Sequence, residues 1–515
     1  MNDQQPNVEV EAASREEVRQ GLGMVSAADA EALAKEKAYL RELDGKPLLS
    51  RLGGYFSLSG PGWLQSALTL GGGSAGSSLF AGALLGYSLL WLQPVAMIAG
   101  IIMMAALAHQ TLSTELRPFQ AVNKFAGSFF GWGWALASLM ASIIWSLPQF
   151  NLAGSVIGMI MTGGEGEPGG LAVAVGRFFS NKEAPIDQAA AGYNILAAPI
   201  IAALTLYITW NYSKGRRGIR WFENMLKLLV AGIVICFAIV AFKTKTDWGN
   251  VAAGFLSFKI PDDAKGFDVL ISAFATAIGI NMTFLFPYTL LARGWGREHR
   301  GLVKFDLGVG MLVPFVIATG FVIISASNVL HQPYQQELAK IESNASLTDA
   351  DKADAIKKLD GKQRSATTMA KTLEPFLGKR LGPLVFGLGI IGMTISTIVM
   401  LMLVSGFICT EICNAEPNGT AHKVGILLPV LGVLGPILWG DLAFYLVVPT
   451  SVICFFFLPI AYVAFFIMMN KLDYLKEDAP QGASRLRWNL AMGTSIAIVA
   501  TTAGYEIFMT LKGLF

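Results

Sequence analysis

Apolar runs of about twenty residues recur along the chain, at about 61–83, 88–108, 129–162, 193–211, 221–242, 267–291, 305–327, 381–410, 424–440, 442–470 and 489–511. A helix needs about 20 such residues to cross the hydrocarbon core of a bilayer. Hydrocarbon offers no partner to a free N–H or C=O, so each run must close its hydrogen bonds internally as a helix. Only 15% of the 515 residues are charged, against about 25% in soluble domains. The class this predicts is an all-α polytopic membrane protein with about eleven spans.

Two of these runs carry elements that resist an unbroken helix. The first begins Gly60-Pro61-Gly62-Trp63 and reaches Gly71-Gly72-Gly73-Ser74 at its middle. Glycine costs a helix roughly 1 kcal/mol relative to alanine, so a break is predicted at Gly71–Ser74. Close packing of a neighbouring helix on small residues is the alternative, but three consecutive glycines exceed what such a seam requires. The sixth run holds Asn281, Met282 and Thr283 at its centre. Pro287 follows, and its ring clashes with the carbonyl of Thr283, so an interruption is expected there. Free backbone groups at membrane depth are tolerated only where protein or a water-filled cavity surrounds them. Interruptions at corresponding places in two five-helix halves point to a transporter built as an inverted repeat, with its binding site at the breaks. Helices 1 and 6 are therefore expected to be broken in a 5+5 arrangement.

The loops orient the chain. Arg117 and Lys124, then Lys214, Arg216, Arg217 and Arg220, then Arg293, Arg297, Arg300 and Lys304, then Lys471, Lys476, Arg485 and Arg487 all fall on one side. The positive-inside rule makes that side, and the N-terminus, cytoplasmic, in a multi-pass protein of the cell membrane. Residues 1–50 read as a polar cytoplasmic tail, a solvated or membrane-surface arm. Within it, Ser14 and Glu17 fit a capping box, and 28–44 is a charged helix stopped by Gly45. Residues 51–515 form the transporter domain: a first repeat over 58–243, a second over 265–470 and an extra helix over 489–511. Loop 328–380 is extracytoplasmic, with short helices expected at 334–343 and 348–360; a small folded cap and a mobile loop are equally open readings. The cysteines Cys236, Cys409, Cys413 and Cys454 read as small buried hydrophobes.

Polar residues at depth are few. Gln149, beside Pro148, and Ser451, beside Pro449, join Gly71, Gly72, Gly73, Ser74, Asn281, Met282 and Thr283 as candidate substrate-binding residues. No carboxylate lies near the centre of a run. Glu223, Asp306, Asp441 and Glu506 lie near run ends, where water or headgroups are expected to reach them. A central charge costs at least ~2.5–3.5 kcal/mol and usually marks an ion pathway. No acid, base or nucleophile set appears at depth, so an enzyme is not expected. No cofactor is expected either, and no nucleic-acid partner. The partners are a small inorganic or organic solute and the lipid bilayer.

The sequence resembles the Nramp family of divalent-metal transporters, which have the LeuT-type fold, over most of 58–470. Residues 60–91, ending Gly86-Tyr87-Ser88-Leu89-Leu90-Trp91, resemble its first two helices. Arg217-Gly218-Ile219-Arg220-Trp221-Phe222-Glu223 is similar to the start of its fifth, Leu373-Glu374-Pro375-Phe376-Leu377-Gly378 and Gly387-Leu388-Gly389-Ile390-Ile391 to its eighth, and Leu458-Pro459 to its tenth. The resemblance implies transport of a divalent metal by alternating access. The ligands the family uses are replaced. Its Asp-Pro-Gly-Asn falls on Gly71-Gly72-Gly73-Ser74, its Met-Pro-His on Thr283-Phe284-Leu285 with Met282 adjacent, and its acidic positions in helix three on Ser146 and Gln149. Transition metals prefer carboxylate, imidazole or sulfur ligands, whereas this set offers neutral oxygens and amides. It suits a hydrated cation, a neutral or zwitterionic solute, or an anion held at half-helix N-termini. A transport-inactive membrane sensor is the remaining alternative.

Overall fold

The apolar runs fold as helices because only a helix satisfies their backbone within the segment. The structure, a computed structural model, describes residues 15–20, 22, 30–58, 69–162, 169–180, 185–211, 216–344 and 346–512. No strand occurs among them. Nine described helices are long and apolar enough to cross a bilayer, and Leu228–Lys243 with Trp248–Leu256, bent by 118°, adds a tenth if the pair is one span. Of the first expected span only the second half is described, as α1 (Gly72–Leu85). Ser14 and residues 59–68 lie outside the described residues.

The chain continues through α2 (Leu92–Thr114), α3 (Ser128–Thr162), α4 (Pro185–Asn211) and α5 (Arg216–Lys243). The second half holds α6 (Ala264–Ala275), α7 (Ile280–Ala292), α8 (Val313–Ala326), α9 (Glu374–Ile412), α10 (Val447–Phe455), α11 (Leu458–Met469) and α12 (Gly482–Lys512). The longest of these, α3 and α9, pack along each other, while α1 packs between α6 and α8. Loop 328–380 is largely helical, with Gln332–Ser343 and Asp349–Gln363. It is fixed to α6 by the Lys265–Asp360 ion pair (2.6 Å), Tyr334 donating to the same carboxylate (2.7 Å).

The sixth-run interruption is not where the proline places it. Pro287 lies inside α7. α6 ends at Ala275, capped by Thr276, and α7 starts at Ile280 after Gly279, whose backbone is extended (φ −79°, ψ 150°). Glycine is required by space: a Cβ there would lie 2.4 Å from Trp145. In the first run the break stands as expected, with Gly71 extended (φ −107°, ψ −173°) ahead of α1.

The described part of the tail packs against the transporter domain instead of standing free as a solvated arm. Val18, Leu22, Leu40 and Leu43 are at most 1% exposed, packed against the same face as the loops after spans two, six and eight. Ala30–Asp44 forms the expected helix and ends before Gly45. Asp306, expected within reach of water, is buried, as is Glu506, and Cys413, expected to be buried, is exposed.

One charged group on the tail face is fully enclosed. Glu411, at the end of α9, has a side chain 0% exposed and is paired with Arg117. Tyr288 donates to its other oxygen at 2.8 Å, and the Phe119 amide donates to the tyrosine hydroxyl at 3.0 Å. Burial alone would weaken the charge of Arg117, but the hydrogen bond and charge of Glu411 outweigh it and raise its pKa. Removing one partner of a buried pair leaves the other uncompensated, at a cost of about 3–5 kcal/mol. Arg117→Ala is therefore expected to destabilise the protein by about that amount, read as a lowered Tm of the purified protein; an unchanged Tm would show that water already reaches Glu411.

Candidate functional site

The two breaks open onto one cavity of about 90 Å³. Its wall is made by Thr69, Gly71, Gly73 and Ser74 at the start of α1, by Ala275, Thr276, Gly279, Asn281, Met282 and Leu285 across the second break, by Trp145 and Gln149 of α3, and by Ser396, Thr397, Met400, Leu401 and Val404 of α9. Each break supplies backbone groups, and neighbouring hydroxyls take up part of them. Ser74 donates to the carbonyls of Thr69 (2.6 Å) and Gly71 (3.1 Å). Thr276 donates to those of Ser272 (3.0 Å) and Ala273 (3.2 Å). Asn281 donates to Ser142 (3.3 Å) and accepts from the Met282 amide (2.9 Å), which fixes its side chain at the start of α7.

Gln149 differs from these. It is 1% exposed, and its Oε1 has no hydrogen-bond partner among the described residues. A buried orphan acceptor costs about 1–3 kcal/mol. This one lies across the start of α1, where a Cβ on Gly72 would sit 2.5 Å from it.

No Asp, Glu, Lys, Arg or His lines the cavity among the described residues, and no group of three or more His, Cys, Asp or Glu that could hold a metal occurs among them. The donor set is neutral: hydroxyls, two amides, backbone carbonyls, and the thioethers of Met282 and Met400. Two helix N-termini, those of α1 and α7, converge on the breaks and bring partial positive charge.

Of the nine residues singled out in the sequence, Gly71, Gly73, Ser74, Gln149, Asn281 and Met282 line the cavity. Three do not. Gly72 stands behind Gln149 and Thr394. Thr283 faces away, accepting from Trp134 Nε1 at 3.0 Å and donating to the Ile280 carbonyl at 2.6 Å. Ser451 lies behind Trp145 and accepts from its indole at 3.2 Å. The residues missed are chiefly Trp145, Thr276 and the α9 face from Ser396 to Val404. The hydroxyls Ser396 and Thr397, just after Thr394 in a largely apolar run, were the available signal; Trp145, one turn before Gln149, gave none.

The comparisons with known proteins agree with this architecture. A family model described as natural resistance-associated macrophage protein-like, Nramp, matches residues 62–507. The chain belongs to the Nramp family. Among curated relatives, the divalent metal cation transporter MntH of Agrobacterium fabrum is 21% identical over 482 residues, covering 91% of this chain and 90% of the relative. Among solved structures, the Eremococcus coleocola manganese transporter bound to an aromatic bis-isothiourea compound superposes with a TM-score of 0.59 at 14% identity, covering 90% of this chain and 88% of that one. A variant of the same transporter gives 0.58. The fold is thus the LeuT-type fold of Nramp transporters, in a multi-pass membrane protein.

In this Nramp chain the two glycines at the start of α1 are not equivalent. A Cβ at Gly72 would meet Gln149 at 2.5 Å and Thr394 at 2.9 Å, whereas at Gly73 its nearest neighbour is Thr276 at 3.6 Å. Gly72→Ala is expected to displace the Gln149 amide and cost about 1–3 kcal/mol, while Gly73→Ala leaves packing intact. Thermal melts of the two variants side by side check this, and equal Tm values would refute it.

Proposed function

We propose that this chain is a transporter that carries a divalent cation, still holding part of its water shell, through the cavity between Gly71 and Gly279 by alternating access. The observation that carries the reading is a neutral, oxygen-bearing cavity at the junction of two helix breaks. Stripping a divalent ion of water without a countercharge is costly in a low dielectric. Magnesium keeps several waters when bound. A water needs about 10–15 Å³ of such space, so a cavity of about 90 Å³ holds an ion with several. The names of the relatives, a divalent metal cation transporter and a manganese transporter, support the cargo class.

In this reading Gly71, Gly73, Ser74, Asn281 and Gln149 face the hydrated ion through oxygens, joined by Thr69, Thr276, Ser396 and Thr397. Gln149 Oε1 accepts from a cation-bound water. Met282 contributes a soft sulfur that a hard cation does not require. Gly72 and Ser451 act behind the lining, beside Gln149 and Trp145, and Thr283 acts there by holding Trp134. No titratable side chain is available in this lining to carry a proton with the cargo, so transport is passive or coupled to another ion. Residues 58–243 and 265–470 act as the two repeats, and the tail face is the cytoplasmic side of the cell membrane.

A second reading rests on one specific observation, the convergence of the α1 and α7 N-termini on the cavity. It makes the cargo anionic or zwitterionic, with its negative group at those N–H ends.

Influx of magnesium and of manganese into proteoliposomes separates these readings, with Gly71→Asp and empty liposomes as controls. Saturable magnesium influx by the unmutated protein is expected, with manganese gaining preference in Gly71→Asp as a carboxylate enters the site. If the unmutated protein moves neither metal while Gly71→Asp moves manganese, the transport machinery is intact and the cargo is not a metal, as the second reading requires.

A further inference from the structure

Beside Leu285, the last residue of α7 to line the cavity, an aromatic plug stands toward the tail face. There the rings of Phe284 and Tyr288 of α7 meet Phe407 of α9, with centroids 5.6 Å apart between Phe284 and Tyr288 and 4.8 Å between Tyr288 and Phe407. All three are buried. Beneath this plug, Tyr288 and Arg117 hold Glu411, which joins α7, α9 and the loop after α2.

The N-terminal arm braces the same three elements from outside. Arg15 pairs with Glu115 and Glu17 with Arg117 (3.4 Å), both in the loop after α2. The Gln20 carbonyl accepts from Asn418, six residues past the end of α9, at 3.1 Å. Further along the arm, Arg41 pairs with Glu298 at 2.7 Å, and Glu36 lies 3.5 Å from His299. Leu33 packs so close to Gly294 that a Cβ on that glycine would lie 2.8 Å from it. Residues 294–299 are the chain that leaves α7. Val18 and Leu22, buried between these contacts, add an apolar anchor.

We infer that the arm is an intramolecular latch, bound to a docking surface made by Glu115, Arg117, Asn418 and 294–299, which holds the cavity shut toward the tail face. Opening that face requires the ends of α7 and α9 to part at the Phe284–Tyr288–Phe407 plug. Any such parting strains arm contacts that are anchored on both sides of it. Release of the arm, by loss of its ion pairs or by capture of the segment elsewhere, favours the state open on that side. The arm then sets how often the carrier presents its cavity to this face. The inference rests on the alternating-access reading, but its test needs no cargo.

The test is hydrogen exchange of the full-length protein in nanodiscs, comparing Arg15→Glu, Glu115→Arg and the double charge swap. In either single variant, amides of 285–292 and 405–413, which the substitutions do not touch, are expected to exchange roughly fivefold faster, as a local opening freed of a partly buried ion pair. The double swap is expected to restore the slow exchange. Faster exchange confined to the arm and residue 115, with the α7 and α9 ends unchanged, would overturn the latch. So would loss of protection in the single variants that the double swap fails to restore. Absence of metal flux would overturn the proposed cargo and leave this result standing.

Discussion

A peptide group released from a helix inside a bilayer must find a partner, and the rest of this structure is arranged around two places where that happens. At Gly71 and at Thr276–Gly279 the backbone leaves the helix. Hydroxyls of Ser74 and Thr276 occupy some of the freed carbonyls, and the cavity accommodates what remains. The surrounding helices are placed to make that tolerable. Trp145 and Gln149 of α3 lie over the breaks, and the neighbouring α9 adds Ser396 to Val404 to the wall. Glycine is needed twice for reasons of space, at Gly72 under Gln149 and at Gly279 under Trp145. The cavity is thus a requirement of the breaks themselves.

Much of the architecture is legible in the sequence because the bilayer leaves few choices. Apolar runs of the right length must be helices, and the glycine triplet marks the first break directly. The second break was less legible. Pro287 looks like the stronger disruptor, yet a helix can absorb one missing N–H when neighbouring groups adjust, whereas an indole pressed against Gly279 fixes the chain there. Side-chain direction was the other limit. Asn281 and Thr283 are two residues apart, about 200° around a helix, so only one of them can face the cavity, and nothing local says which. The contribution of α9 depends on a contact between residues some three hundred positions apart in sequence, which no local pattern reveals.

The tail face shows how burial changes the meaning of a charge. Glu411 reads as an ordinary loop acid, since it follows a long apolar helix and precedes a turn. Enclosed by Arg117 and Tyr288, it becomes the point where α7, α9 and the loop after α2 are held together. The arm, polar enough in composition to pass for a free tail, folds against the same elements and buries a few apolar residues there, Val18, Leu22, Leu40 and Leu43.

The neutrality of the cavity lining has an electrical consequence. Moving one elementary charge through a membrane potential changes its energy by about 2.3 kcal/mol per 100 mV. A carrier with an ionised carboxylate at its centre shifts that charge each time the empty protein reorients, so voltage acts on the return half of its cycle. Here the described lining contains no ionised side chain. In the proposed cycle the empty protein would reorient with little charge displaced at the site, and voltage would act through the cargo and any ion coupled to it.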